Sequence, residues 1–194
     1  MREAIIERKT NETDIKIGIH LDDNRSNCRI DTGIGFFDHM LTTLSVHSGI
    51  YFDVDCSGDL CVDCHHTIED VGIVLGQVFA NALDDKMGIA RYGSAYIPMD
   101  EALAFAAIDF SGRPYLVFEG EFTADKIGDM DTQMVEEFFR AFSVWAGVTL
   151  HVRILYGKND HHKAEAAFKA LAHAIKIAIK PLEDQSSLTT KGVI

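Results

Sequence analysis

Apolar and polar residues alternate along several short segments of the chain, as they do in strands that bury one face. Residues 14–21 (DIKIGIHL) show this alternation most clearly, and residues 51–55 (YFDVD) resume it after a predicted helix. The polar residues at 24–27 indicate a turn between two strands. Further strands are predicted at residues 28–31, 102–109, 115–122 and 148–155.

Apolar residues that recur every three or four positions predict four helices between these strands. Phe37, Met40 and Leu44 share one side of the first helix, and Gly49 follows its end, where a glycine is favourable. A second glycine ends the third helix, and Pro181 stops the fourth. The predicted helices cover residues 37–47, 65–83, 131–145 and 161–180.

The second half of the chain repeats the order of the first. HHTIE at 65–69 and HHKAE at 161–165 each open a predicted helix, 96 residues apart. Upstream, SVHSG at 45–49 matches SVWAG at 143–147, 98 residues apart. A two-residue insertion or deletion between the motifs explains the difference between the two offsets. The unit is too long and has too few copies for a solenoid.

This repeat predicts a fused, duplicated unit of α+β class, with the strands of each half packed under its two helices. We expect the first half to cover residues 1–89 and the second half to cover residues 90–194.

The overall charge narrows the range of partners. The 194 residues include 30 acidic and 18 basic side chains, a formal net charge of -12, and no basic run. We therefore expect the protein to bind neither nucleic acid nor anionic membranes. No apolar run approaches the roughly 20 residues that span a bilayer, and the amino terminus lacks a signal-peptide core. We expect a cytoplasmic protein.

The strongest chemical signal is the His-His-x-x-Glu motif, which occurs twice. Positions i and i+4 of a helix share a face, so His65 projects with Glu69, and His161 projects with Glu165. The other histidine of each pair turns about 100° away and can serve a second site. Imidazole and carboxylate ligands suit Mn, Fe, Co, Ni or Zn, and a helix amino terminus favours the neutral, metal-binding imidazole. Solvated histidines at two helix starts are the alternative.

Two further positions and one cysteine pair extend this site. His39 is a candidate additional ligand, and the repeat places Glu137 opposite it. Cys61 and Cys64 form a CxxC next to the first histidine pair, which zinc sites and redox dithiols share. No second CxxC is present, so we interpret Cys64 as a small residue beside the site, with a functional thiol pair as the alternative.

Several cationic and hydroxyl side chains are candidates for holding an anion, although each is also an ordinary surface residue. Lys169 follows Glu165 by four positions, so an intrahelical salt bridge is its alternative role. The candidates are Arg91, Arg113, Lys169, Thr189, Thr190 and Lys191.

With these motifs in place, the chain resembles the imidazoleglycerol-phosphate dehydratase family of histidine biosynthesis. The matching segments include DTGIGFFDHML, HHTIEDVGIVLG, DFSGRPYL and NDHHKAEAAFKALAHAI, and they span essentially the whole chain in order. They lie at residues 31–41, 65–76, 91–93, 98–104, 109–116, 131–142, 149–153, 159–175 and 189–194.

The resemblance implies a lyase that removes water from imidazoleglycerol phosphate to give imidazole acetol phosphate. It implies halves that are ribosomal protein S5 domain 2-like, each a four-stranded sheet with helices on one face. It also implies trimers assembled into a 24-subunit homo-oligomer, with two Mn²⁺ ions in each active site and the sites shared between subunits. The departing proton lies on a carbon without an adjacent carbonyl, so acidity must come from the ring, held as a metal-bound imidazolate.

The resemblance also implies a role for each matching residue. The metal ligands would be His39, His65, His66, Glu69, Glu137, His161, His162 and Glu165. The catalytic carboxylates would be Glu165, Glu12 and Glu69, of which Glu12 would also contact substrate, and either Glu165 or Glu12 would be the base. The substrate phosphate would lie on Arg91, Arg113, Lys169, Thr189, Thr190 and Lys191.

The chain departs from the family at three places. Glu137 stands where many members have His, and a carboxylate can still bind Mn²⁺. Cys64 stands where Asp is usual, and Thr189 with Thr190 replaces two serines but keeps both hydroxyls. Without the resemblance, a dinuclear-metal hydrolase and a non-enzymatic metal-binding shell protein explain the paired motifs as well as a dehydratase does.

Overall fold

Two four-stranded sheets, one from each half of the chain, enclose a layer of four helices. The computed structural model of the protein describes residues 2–23 and 28–182. The strands of the first sheet are β1 (Glu3–Lys9), β2 (Thr13–His20), β3 (Arg29–Asp31) and β4 (Tyr51–Gly58). Their order is β1-β2-β4-β3, with β3 parallel to β4 and the other pairs antiparallel.

The second sheet repeats this topology. Its strands are β5 (Tyr92–Met99), β6 (Ala102–Asp109), β7 (Tyr115–Glu119) and β10 (Thr149–Tyr156). They follow the order β5-β6-β10-β7, again with one parallel pair at the end. A small hairpin of β8 (Lys126–Ile127) and β9 (Met130–Asp131) precedes the third helix. The matching topologies confirm the predicted duplicated α+β fold.

The helices are α1 (Gly35–Ser48), α2 (His65–Leu83), α3 (Met134–Ala146) and α4 (Asp160–Ala178). The two halves meet helix against helix, since α1 packs on α4 and α2 packs on α3. Gly49 and Gly147 end α1 and α3 in the left-handed conformation, at φ 73° and 64° respectively, as the sequence predicts. No helix in the described part of the chain is long and apolar enough to cross a bilayer.

The α2–α3 contact is close because two glycines of α2 face α3. A Cβ built at Gly76 would lie 2.8 Å from the backbone nitrogen of Ala146 and 2.8 Å from the carbonyl oxygen of Phe142. A Cβ at Gly72 would lie 2.9 Å from the Cβ of Ala141. These distances fall below van der Waals contact, so the two helices can approach only where α2 carries no side chain.

Two edge strands are absent from the sequence-based prediction. In β1, the half-buried Ala4 and Ile6 alternate with the exposed Glu3, Ile5 and Glu7, so its core-facing set is small. In β5, Gly93 and Pro98 lower the strand propensity. Proline is compatible with β5 because an edge strand has one side without ladder partners.

Several predicted boundaries also shift for tertiary reasons. The first helix begins at Gly35 because the Asp129 carboxylate accepts the backbone N–H groups of Gly35 and Phe36 from the other half of the chain. The last helix ends at Ala178, not at residue 180, because the Ala178 carbonyl accepts from the Arg91 N–H. Strand β7 ends at Glu119, three residues early.

Other differences concern the third helix and the division of the chain. The third helix begins at Met134, because the segment predicted as its first turn forms β9 and a bend. Residues 24–27, predicted as a turn, lie outside the described residues. The boundary between residues 89 and 90 stays a prediction.

Candidate metal centre

A histidine from α1 meets the first turn of α4. The Nε2 atom of His39 lies 3.6 Å from Oε2 of Glu165, and the Nε2 atom of His161 lies 3.2 Å from the same oxygen. One ligand atom from each of these three residues lies within 4.8 Å of the others, and no other group of three such side chains occurs in the described residues. The packing of α1 on α4 thus brings together residues that are far apart in the sequence.

The start of α4 is fixed by its own sequence. The Asn159 side chain accepts from the backbone N–H groups of His161 (2.9 Å) and His162 (3.4 Å), as an N-cap residue does. The ring of Phe36 packs edge-on against the His161 ring, with centroids 5.0 Å apart. The cap fixes where α4 begins, and the Phe36 contact restrains the His161 ring.

Glu165 is buried and lies beside a cation. Its Oε1 atom is 2.7 Å from Nζ of Lys169, so the predicted intrahelical salt bridge is present. Burial raises the pKa of Glu165, but the bond to Lys169 and the nearby His39 outweigh it and leave the pKa below its usual value. The carboxylate is therefore ionised at neutral pH, as a metal ligand requires.

The matching set in the first half is more open. The Nε2 atom of His65 lies 3.4 Å from Oε2 of Glu69, and both side chains are nearly half exposed. The Glu137 carboxylate lies 3.3 Å from Nε of Arg140 on its own helix. The pair formed by His65 and Glu69 therefore offers two ligand atoms where the α4 site offers three.

The remaining histidine of each motif contacts a carboxylate through Nδ1. His66 Nδ1 lies 3.0 Å from Asp59, and His162 Nδ1 lies 2.7 Å from Glu101. The bond to Asp59 raises the pKa of His66, and the bond to Glu101 raises the pKa of His162. The bond from His162, together with the Asn159 and Lys158 backbone N–H groups, lowers the pKa of Glu101 to about 2.

The two predicted anion-binding arginines share one carboxylate. Nε of the buried Arg91 lies 2.7 Å from Oδ1 of Asp109, and Nη2 of the exposed Arg113 lies 3.7 Å from its Oδ2. This cluster adjoins the carboxyl end of α4, because the Arg91 N–H donates to the Ala178 carbonyl. Of the other predicted anion-binding residues, Lys169 pairs with Glu165, and Thr189, Thr190 and Lys191 lie outside the described residues.

Known proteins resemble this chain in sequence over its whole length. A sequence profile of the imidazoleglycerol-phosphate dehydratase family matches residues 32–175. Enzymes of that name from Bacillus cereus strain AH187 and Bacillus thuringiensis strain Al Hakam are 53% and 55% identical to this chain. Each alignment covers 100% of this chain and 100% of the relative. The chain belongs to the imidazoleglycerol-phosphate dehydratase family.

Solved structures of the family agree with the fold. The Staphylococcus aureus dehydratase superposes with a TM-score of 0.84 at 42% identity, covering 92% of this chain and 99% of that one. The dehydratase from Pyrococcus furiosus gives a TM-score of 0.83 at 33% identity, covering 97% and 100%. The predicted family, and with it the hydro-lyase class, is confirmed.

The donor set on α1 and α4 fits a transition metal. Two imidazole nitrogens and one ionised carboxylate favour Mn, Fe, Co, Ni or Zn over the oxygen-preferring Ca and Mg. The two cysteines add no ligand to this group. Cys61 is exposed, whereas Cys64 is buried with Sγ 3.3 Å from Asp131, and burial raises the pKa of its thiol.

Sequence reasoning missed several carboxylates that contact predicted site residues, among them Asp59, Glu101 and Asp109. Asp59, Glu101 and Asp109 are ordinary acidic residues in an acidic chain, and nothing in their local sequence marks them. One signal was available for Glu101. It directly precedes β6, just as Glu12 directly precedes β2, and aligning the two hairpins would have paired them.

Proposed function

We propose that this chain is a Mn²⁺-dependent dehydratase that converts imidazoleglycerol phosphate into imidazole acetol phosphate in histidine biosynthesis. The observation that carries the proposal is the group of His39, His161 and Glu165, a complete three-ligand set in a member of this family. The relatives' names support this substrate, and the three-ligand group supports our proposal that the substrate ring binds beside it.

In this proposal, His39, His161 and Glu165 hold one ion. The second ion lies on the equivalent side chains of the first half, His65, Glu69 and Glu137, and the remaining ligands are His66 and His162. Bound Mn²⁺ supplies a Lewis acid that makes the substrate's imidazole ring an electron sink, which a carbon without a neighbouring carbonyl otherwise lacks.

Among the candidate carboxylates, Glu12 is the one we assign to proton transfer. Both oxygens of Glu165 are engaged, one with Lys169 and one with His161. The Glu12 side chain is 53% exposed, and Oε1 is 3.7 Å from His66 Nε2. A carboxylate in that position can take a proton from the substrate carbon chain while the ring lies on the metal ligands.

The predicted phosphate-binding arginines of one chain, Arg91 and Arg113, lie too far from its own α4 ligands to share a substrate with them. Arg91 adjoins Ala178, thirteen residues along α4 from Glu165, or about 20 Å at a rise of about 1.5 Å per residue. Imidazoleglycerol phosphate is far shorter than that distance. We therefore propose that the arginines and the α4 ligands of each active site come from different subunits, within a 24-subunit assembly built from trimers.

The nature of the product separates this proposal from its alternatives. The experiment incubates Mn²⁺-loaded protein with imidazoleglycerol phosphate and analyses the products by mass spectrometry and a phosphate assay. We expect loss of one water molecule with the phosphate ester intact. Release of inorganic phosphate instead would indicate the dinuclear hydrolase, and an unchanged substrate with metal bound would indicate a shell protein.

A tail variant tests the assignment of the phosphate. We expect Lys191→Ala to raise the KM for imidazoleglycerol phosphate by about tenfold or more, because a charge-assisted hydrogen bond contributes about 1.5–3 kcal/mol. Bound metal should stay at the wild-type level, because the phosphate is remote from the metal ligands.

The control is Lys16→Ala, which removes an exposed lysine paired with Glu7 outside the proposed site. Its KM should match that of the wild type. Loss of metal from Lys191→Ala would mean that the tail has been assigned to the wrong part of the site.

A further inference from the structure

One histidine of each His-His-x-x-Glu motif has a carboxylate on its Nδ1 atom, and the carboxylate comes from a different element in each half. Asp59 follows β4 and contacts His66, with oxygens at 3.0 and 3.1 Å from Nδ1. Glu101 lies in the β5–β6 hairpin and contacts His162, with Oε2 at 2.7 Å from Nδ1. Neither carboxylate is among the predicted ligands or catalytic groups.

These contacts determine which ring nitrogen carries the proton in a neutral imidazole. An ionised carboxylate can only accept, so Nδ1 must be the donor in both pairs. The lone pair then lies on Nε2, the atom that faces away from the carboxylate. Each Nε2 also lies 3.7 Å from a further acidic side chain, which is Glu12 for His66 and Asp100 for His162.

The glutamate directly before the second strand of the hairpin contacts its histidine differently in the two halves. Glu12 and Glu101 each stand directly before the second strand of a hairpin, β2 or β6. Glu12 approaches the Nε2 side of its histidine, whereas Glu101 occupies the Nδ1 side. The first half therefore needs a separate residue on Nδ1, and Asp59 fills that place.

We propose that Glu101 and Asp59 are positioning residues, which hold His162 and His66 in the Nδ1–H form with Nε2 presented to a divalent metal. The inference rests on the proposed function, because it assumes that these histidines are ligands. A carboxylate or carbonyl partner on the other nitrogen is common for metal-binding histidines, where it fixes the tautomer and the ring orientation.

The hydrogen bonds of the second Glu101 oxygen allow a direct test of this proposal. Oε1 accepts the backbone N–H groups of Lys158 and Asn159, at 2.9 and 2.7 Å. In Glu101→Gln, the amide nitrogen cannot take the place of Oε1, because it would then face two N–H donors. The amide oxygen must therefore accept from Lys158 and Asn159. The amide nitrogen then faces Nδ1 of His162 and donates to it, which moves the ring proton to Nε2 and blocks the ligand atom.

Asp59→Asn provides a matched comparison. Both Asp59 oxygens point at the same ring nitrogen, so the asparagine amide can turn its oxygen toward Nδ1 and keep the donor–acceptor pattern. The two changes remove the same charge next to equivalent histidines. Only Glu101→Gln is expected to reverse the tautomer.

The test measures Mn²⁺ affinity of metal-free protein by competition with a chelator, together with the visible absorption of the Co²⁺-loaded protein. We expect Glu101→Gln to weaken the affinity of one ion by about 10- to 100-fold and to shift the Co²⁺ bands through loss of a nitrogen ligand. Asp59→Asn should weaken it by less than about fivefold, since a neutral acceptor replaces a charged one. The thermal midpoints of both metal-free variants should match the wild type.

Wild-type metal affinity and Co²⁺ bands in Glu101→Gln would overturn the inference and leave the proposed function standing. Equal weakening by both variants would also overturn it, because charge alone would then explain the loss. A wild-type chain that binds neither metal would contradict the proposed function as well, and this outcome is visible before any variant is made.

Discussion

Glu165→Gln is expected to lower Mn²⁺ affinity by more than about 100-fold and to reduce dehydration to a comparable extent. Changes to groups that merely orient a ligand already cost about 10- to 100-fold, and this substitution changes a ligand itself. It replaces an ionised oxygen that lies 3.2 Å from Nε2 of His161 and 3.6 Å from Nε2 of His39. It also leaves the largely buried ammonium of Lys169 without its partner at 2.7 Å. Metal analysis after gel filtration, together with steady-state turnover, checks the result.

Glu119→Gln is the control for the loss of an ion-paired carboxylate. Glu119 lies 2.7 Å from Arg153, the same separation as in the Glu165–Lys169 pair, but it is on an edge strand away from the predicted ligands. Metal content and turnover of this variant should equal those of the wild type. A Glu165→Gln protein that keeps full metal content and activity would remove Glu165 from the site.

Gly76→Ala is expected to lower the stability of the fold markedly through one added methyl group. The new Cβ would lie 2.8 Å from the Ala146 nitrogen and the Phe142 carbonyl oxygen, and backbone atoms cannot move aside as a flexible side chain can. Overpacking of this kind costs about 1–3 kcal/mol. In a chain of this length, each kcal/mol lowers the thermal midpoint by roughly 2–4 °C. Calorimetry of the metal-free protein measures the shift.

Gly35→Ala is the matched control, because a Cβ there meets no atom within 4 Å and Gly35 also lies in a helix. Its effect should stay within about 0.5 kcal/mol, as for an ordinary surface substitution. An equal midpoint for the two variants would show that the α2–α3 contact tolerates a wider separation. The close packing of the two halves would then not be a source of stability.

The sequence predicts most of the secondary structure because its signals are local. Apolar spacing predicts all four helices, and two left-handed glycines end α1 and α3 where expected. Strands β1 and β5 are not predicted because β1 has no fully buried residue and β5 contains Gly93 and Pro98, which lower its strand propensity. The start of α1 depends on Asp129, which lies more than ninety residues away in sequence. No local pattern reports such a contact.

For the candidate site too, the sequence predicts the local features, and the tertiary contacts appear only in the structure. The spacing of His161 and Glu165 predicts that they share a helix face, and the structure places them 3.2 Å apart. The repeat singles out His39, but only the packing of α1 on α4 brings it to that pair. The Asp59 and Glu101 contacts, by contrast, arise where a strand end or a hairpin meets a helix start. All of the ligand assignments, including Glu137, stay predictions.

The most direct test of the account is a Mn²⁺ titration of metal-free protein, with bound metal and turnover of imidazoleglycerol phosphate measured on the same samples. We expect no turnover without metal, and activity that rises until two ions are bound per chain. Full turnover by metal-free protein, or two bound ions with no dehydration, would contradict it.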